Sequence, residues 1–166
     1  MGFKGGMANS LIWRAMAASD LDAVMAIADR LHPDYPERRD VLAEKLALFP
    51  AGCQILAAGG PAAGYAFAHP AQAGIPPALD TMMHELPAKA DALHLHDVAL
   101  LPEARGNGRV GALLDYLTGV ARDAGLPQMT LVAVHGTVDY WRRLGFTPAQ
   151  GGVASYAGGT YMARRL

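Results

Sequence analysis

Residues Arg105-Gly106-Asn107-Gly108-Arg109-Val110-Gly111 make a basic, glycine-rich turn between two segments of different periodicity. Upstream, Leu93 to Leu100 is a short apolar-rich run, closed by Pro102, that reads as a strand. Downstream, Val110, Leu113, Leu114, Leu117, Val120, Ala121 and Ala124 recur at helical spacing. A chain passing from strand to helix through such a turn leaves several amides unbonded at the helix mouth. That geometry suits phosphate oxygens. Glycines at 106, 108 and 111 let the backbone approach an anion closely, and Arg105 and Arg109 add positive charge beside it. An ordinary glycine-rich turn before a surface helix is the alternative.

The rest of the chain limits what such a loop can serve. At 166 residues the sequence is long enough to bury a core as one domain over residues 10–166, with residues 1–9 as a loose leader. Hydrophobic residues make up 52% and the formal net charge is −1, which argues against disorder and against a nucleic-acid-binding surface. No apolar run reaches membrane-spanning length, so no membrane partner is expected. A lone Cys53 excludes an intrachain disulfide and fits a reducing, cytoplasmic compartment. Preceding Gln54-Ile55-Leu56, it reads as a buried strand thiol. The apolar content leaves room for a homodimer.

Element signals run in a consistent order. Leu11 to Arg14 reads as a first strand. Ser19 is placed to cap a helix, with Asp22 closing the box, before an apolar stripe of Leu21, Val24, Met25 and Ala28. His32-Pro33-Asp34-Tyr35-Pro36 breaks that helix, and a second spans Arg38 to Phe49. Gln54 to Ala58 and Gly64 to His69 read as a hairpin around Gly59-Gly60-Pro61. Residues 70–92 are proline-rich, with a short helical piece predicted from Leu79 to Leu86. After the long helix come a strand at Met129–Val134, a short helix, and a final strand at Ser155–Arg164. This order predicts an α+β fold with a mixed sheet.

Two familiar phosphate loops do not fit. A P-loop needs a Lys after its glycines, and none follows here. A dinucleotide fingerprint belongs in the first strand-helix-strand unit of a domain, whereas this turn falls two-thirds of the way along the chain. The run Asp97 to Gly108 instead resembles the acetyl-CoA-binding motif of the GNAT superfamily of acyl-CoA N-acyltransferases, [QR]-x-x-G-x-[GA] after a strand. About 30 residues on, Leu131-Val132-Ala133-Val134-His135-Gly136, followed by Tyr140-Trp141-Arg142-Arg143-Leu144-Gly145-Phe146, resembles that family's second motif. The two motifs in this order cover residues 93–147.

The resemblance implies a mixed, mostly antiparallel sheet splayed between its fourth and fifth strands and flanked by helices. It implies acetyl-CoA (coenzyme A) as cofactor, with the pantetheine arm lying against Val98, Ala99 and Leu100. The diphosphate would meet Arg105, Gly106, Asn107, Gly108, Arg109, Val110 and Gly111. The implied activity is N-acetyl transfer to a small-molecule or peptide amine by direct attack in a ternary complex. Three positions depart from the family pattern: Val110 stands at the [GA] position, His135 where an Asn is common, and Trp141 where many members carry a Tyr that protonates the leaving thiolate. Tyr140, one residue earlier, is the remaining phenol for that role. His135 and Trp141 are then placed to contact the coenzyme's arm.

Asp97 is the candidate proton acceptor, a carboxylate at the start of the splay in an otherwise apolar run. Strict alternation would put His94 and His96 on one face of the strand and Asp97 on the other. A metal hydrolase built on those three residues is a competing reading, but the further Asp-His partners are absent and no metal is expected. A catalytically weak acyl-CoA-binding or sensor module is another, favoured by Trp141. Acceptor recognition is expected from His32–Arg39 and from residues 70–92, with Asp34, Tyr35, Glu37, His84 and Glu85 as groups that can meet a cationic amine.

Overall fold

A computed structural model describes residues 10–151 and 158–166, so the expected leader and the first residues of the expected final strand lie outside the described residues. Seven strands form one sheet in the order β1-β2-β3-β4-β5-β7-β6. They are β1 (Ile12–Ala15), β2 (Cys53–Ala57), β3 (Gly64–Ala71), β4 (Ala92–Leu100), β5 (Gln128–Ala133), β6 (Thr147–Pro148) and β7 (Thr160–Arg165). Every pairing is antiparallel except β4 with β5. Helices α1 (Leu21–Leu31) and α2 (Arg39–Leu48) cover one face, while α3 (Arg109–Asp123) and the short α4 (Val138–Arg143) serve the other.

Alternation along β3 decides which core each side chain joins. Tyr65 and Phe67 pack with Leu21, Val24, Ile27 and Leu42 under α1 and α2. Ala66 and Ala68 turn to the opposite face, against Leu113, Leu114 and Leu117 of α3. Each of those leucines, fully buried, contributes about 1.5–3 kcal/mol by leaving water. No helix among the described residues is long and apolar enough to cross a membrane. Cys53 is buried, with its thiol pushed up to about 12, chiefly by burial.

Three local expectations are corrected. Ser19 does not cap the first helix. A 3-10 turn, Ala18–Asp20, leads into α1, and the Asp20 carboxylate accepts from the Ala17 amide (2.8 Å) and from both terminal nitrogens of Arg14 (2.8 Å each). A carboxylate serves these three donors where a serine hydroxyl, with two acceptor lone pairs, could not. The expected Leu79–Leu86 helix is absent, because Asp80 (φ 54°) and His84 (φ 66°) stand in the left-handed region and break any helical run. Finally, Thr147–Pro148 adds a two-residue edge strand, a position proline tolerates because an edge amide needs no partner.

One interior region is polar. His69 of β3, His94 and His96 of β4 and Lys45 of α2 are all buried, with imidazole centroids 5.8–6.3 Å apart. Burial holds the Lys45 ammonium below its ordinary pKa in spite of nearby Glu37 and Glu44. Its Nζ has no hydrogen-bond partner among the described residues. A buried unpaired donor costs roughly 1–3 kcal/mol, so Lys45→Met is expected to stabilise the fold by about that amount. Urea unfolding would show it as a higher midpoint; a lower midpoint would mean that the ammonium is satisfied in solution.

Candidate active site

The parallel ladder between β4 and β5 lasts only three pairs, Leu93–Met129, His94–Thr130 and Leu95–Leu131. Beyond them the strands part, and a cleft of about 810 Å³ opens between the end of β4 and α4. Val98, Ala99 and Leu100 line it on one side and His135, Tyr140 and Trp141 on the other. Since β5 does not pair with residues 98–100, this edge of β4 is left as an unpaired strand edge inside the molecule. An extended, amide-bearing chain can add to such an edge.

The glycine-rich turn forms the far end of the cleft. Gly106, Asn107 and Gly108 take successive positive φ values of 90°, 56° and 70°. The three left-handed residues turn the chain sharply into α3, which begins at Arg109 with Gly108 as its N-cap. Ala112 is the first residue of this turn of helix to donate to a carbonyl within it, that of Gly108 (2.9 Å). Among the described residues the amides of 106–108, 110 and 111 donate to no main-chain carbonyl. A Cβ added at Gly106, Gly108 or Gly111 would meet nothing within 4 Å, so the space beside these residues is open. Unbonded amides facing open space at a helix mouth form a cradle fit for an anion.

The two arginines differ. Arg105 is exposed, and its Nε donates to the Leu100 carbonyl (3.1 Å), which tethers the turn to the end of β4. Arg109 is buried, with Nη1 donating to the Ala104 carbonyl (2.9 Å) and its own carbonyl accepting from the Trp13 indole (2.8 Å). Both line the cleft, as do Gly106, Gly108 and Val110. Asn107 faces a neighbouring groove beside Leu11, Ile12 and Trp13, and Gly111 lies a turn into the helix, outside the cleft lining.

Asp97 is placed differently from strict alternation. The β3–β4 register slips between Phe67, which pairs with Asp97, and Ala68, which pairs with Leu95, leaving His96 as an extra residue. This bulge turns Asp97 to the same face as His94, because their partners Phe67 and His69 are two residues apart on β3. There Asp97 Oδ2 accepts from the Tyr65 hydroxyl (2.7 Å), and His32 Nε2 lies 3.2 Å from Oδ1. Burial, then the Asp97 charge, raises the Tyr65 phenol well above its ordinary pKa, so it stays a donor. The Asp97 carboxylate also raises the His32 pKa, against the effect of burial.

His32, the C-cap of α1, lines both the cleft and a smaller pocket beyond it. Nothing but its place at a helix break marked it in the sequence. His135, at φ 55°, stacks on it with centroids 5.8 Å apart, and Tyr35 meets His135 edge-on at 5.3 Å. Trp141 is buried and packs edge-on against Phe146 and Tyr140, while Tyr140 itself is half-exposed. Burial raises the Tyr140 phenol above its ordinary pKa, with Arg143 opposing.

The smaller pocket, about 140 Å³, lies on the α1–α2 side of the split, and Asp97 and Val98 stand on its border. Of the expected acceptor residues, Tyr35 and Glu37 line it; Asp34, His84 and Glu85 do not. His96 Nε2 reaches Glu37 Oε1 at 2.6 Å inside the fold, and His94 Nδ1 lies 2.9 Å from Thr130 Oγ1. These imidazoles are engaged with Glu37 and Thr130, and no cluster of His, Cys, Asp and Glu among the described residues is arranged to hold a metal.

Comparison with known proteins gives the same architecture. Ard1 from Thermoplasma volcanium superposes with a TM-score of 0.74 at 13% identity, covering 95% of this chain and 98% of that one. A chain of the NatC complex bound to Gag peptide and CoA gives 0.73 at 12% identity, with 95% and 99% covered. The GNAT-like decarboxylase GphF in complex with isobutyryl-CoA gives 0.72 at 20% identity, with 93% and 98% covered. No curated protein matches by sequence. The acetyltransferase (GNAT) family pattern matches residues 21–146, from the start of α1 through the last residue before β6, and the chain belongs to that family.

Proposed function

We propose that this protein is an acetyl-CoA-dependent N-acetyltransferase that acts on an amine by direct attack within a ternary complex. The observation that carries the reading is the split between β4 and β5, with an anion cradle at one end and the His32–Asp97 pair at the other. Acetyl-CoA, when bound, supplies an acyl group activated as a thioester. The unbonded amides of 106–108, 110 and 111 would hold its diphosphate, and the unpaired edge of Val98 to Leu100 would orient its arm. A β4 amide aimed at developing oxyanion charge is worth about 2.7–4 kcal/mol in a transition state. Trp141 and His135 close the opposite wall and exclude water.

An attacking amine must be neutral. His32 takes its proton, and Asp97, beside its Nε2, stabilises the resulting imidazolium while Tyr65 fixes the carboxylate. Tyr140, at the cleft rim, returns a proton to the departing sulfur. His32 must be unprotonated to accept, so turnover should rise with pH through a pKa above the ordinary histidine value of about 6.5. Asp97→Asn removes the main cause of that elevation; it should lower turnover by roughly a hundredfold and move the midpoint to lower pH. A variant with wild-type turnover and an unmoved profile would place the base elsewhere.

The defining experiment is a panel of amines with thiol detection. Amine-dependent thiol release establishes the transferase. A catalytically weak acyl-CoA-binding module is the second reading, favoured by an indole at the usual acid position and by a phenol whose acidity is lowered by burial. Tight coenzyme binding without release across the panel would decide for it.

A further inference from the structure

We infer that the acceptor is a small primary monoamine bearing a compact, mainly apolar group, and that Leu79, carried by the segment 79–84, is the wall that sets its size. This rests on the transferase reading and names the substrate class of that site. The smaller pocket is lined by Leu79, Tyr35, Val132 and Trp141, with Glu37, His96, His32 and Asp97 as its charged or titratable groups beside His135. Its volume, about 140 Å³, is close to that of a cavity that takes one benzene, roughly 150 Å³. It therefore holds a group of about six non-hydrogen atoms, with the nitrogen at the His32–Asp97 end.

The wall is clasped from both sides. Asp80 Oδ1 accepts from the Arg38 amide (2.7 Å) and Nε (3.1 Å), and its carbonyl accepts from Arg38 Nη2 (3.1 Å). In return Glu37 Oε2 accepts from the Asp80 amide (3.1 Å). Glu44 takes the amides of Met83 (2.5 Å) and His84 (3.0 Å). Carboxylates thus hold two left-handed, non-glycine residues in place and press Leu79 against the pocket. Glu37 spends its other oxygen on His96, and Lys45 lies behind it with an attractive charge. Both Glu37 oxygens carry a hydrogen bond and the Lys45 ammonium offsets its charge, so a second ammonium on the acceptor gains little there, which disfavours polyamines.

The test uses the full chain saturated with coenzyme A for calorimetry, and with acetyl-CoA for thiol release. The amines are ethylamine to octylamine, phenethylamine, spermidine and a hexapeptide with a free N-terminus. Affinity and kcat/KM should peak near six non-hydrogen atoms on nitrogen and fall about tenfold or more for spermidine and the peptide. Leu79→Gly should move the optimum to longer alkyl chains. Val132→Phe, which fills the pocket from the sheet without touching the clasp, should raise KM for hexylamine at least about tenfold. Coenzyme affinity should stay within about twofold in both variants. A peptide preferred over every small amine, or an optimum that neither variant moves, overturns the size assignment while leaving acetyl transfer standing. Coenzyme binding without capture of any small amine also overturns it. Failure to bind coenzyme would instead refute the transferase reading, and titration of the amines into the unloaded protein would still report on the pocket.

Discussion

Gly108→Trp should weaken coenzyme A binding at least about a hundredfold, close to 2.7 kcal/mol. Two effects act together. Gly108 has φ 70°, where a side chain costs roughly 1–2 kcal/mol, a strain that drives the free loop out of the conformation presenting its amides. Its missing Cβ points into open space and the residue lines the cleft, so an indole there would crowd the turn that a diphosphate would meet. Charge-assisted hydrogen bonds contribute about 1.5–3 kcal/mol each, and losing one or two of them accounts for the expected drop. Arg105→Glu tests the same loop through charge, placing an anion where the cleft presents a cation and cutting the tether to Leu100. Its expected loss is smaller, about tenfold. Titration calorimetry reads both, and a thermal melt separates a damaged fold from a damaged site. Wild-type affinity in both variants would remove the loop from the site.

Acid should destabilise the fold earlier than carboxylate protonation alone would. Burial, with the neighbouring His96 and Lys45 charges, lowers His69 to about 3, and burial lowers His94 well below its ordinary value. In the unfolded chain both titrate near 6.5. Below that pH the unfolded state binds protons that the native state refuses, so stability falls with pH. The slope is about 1.4 kcal/mol per pH unit for each histidine. His32 has the opposite sign: its raised pKa contributes stability that is complete below 6.5 and is lost as pH rises through the folded value. Stability should therefore peak near pH 6.5. The lowered carboxylates of Asp20, Glu44 and Asp80 add their loss only below about pH 4. Urea unfolding from pH 7.5 to 4.5 measures this, and His69→Gln should remove one histidine's share of the slope. A flat profile between 6.5 and 4.5 would show that the buried imidazoles accept protons without penalty.

The parts that local periodicity encodes were legible. The stripe Leu113, Leu114, Leu117 and Ala121 announced α3, and the glycines before it announced a turn that only left-handed residues can make. The parts set by partners were not. Whether Asp97 and His94 share a face depends on which β3 residues oppose them, and the slip between Phe67 and Ala68 is invisible in the β4 sequence. The polar interior joins a loop glutamate, a helix lysine and three strand histidines, none of which signals the others. His32 sits at a helix break, where nothing in the sequence tells a structural cap from a proton acceptor. At residues 79–84 local propensity favoured a helix, and contacts with residues 37, 38 and 44 overrode it.

A sheet held together at its middle by three pairs of residues is two half-sheets on a short seam. Anything extended that settles into the parting supplies the rungs the polypeptide lacks, so the bound molecule becomes a structural member as well as a reactant. Loading would then stiffen the body across its weakest line, and release of the spent carrier would require that seam to loosen again.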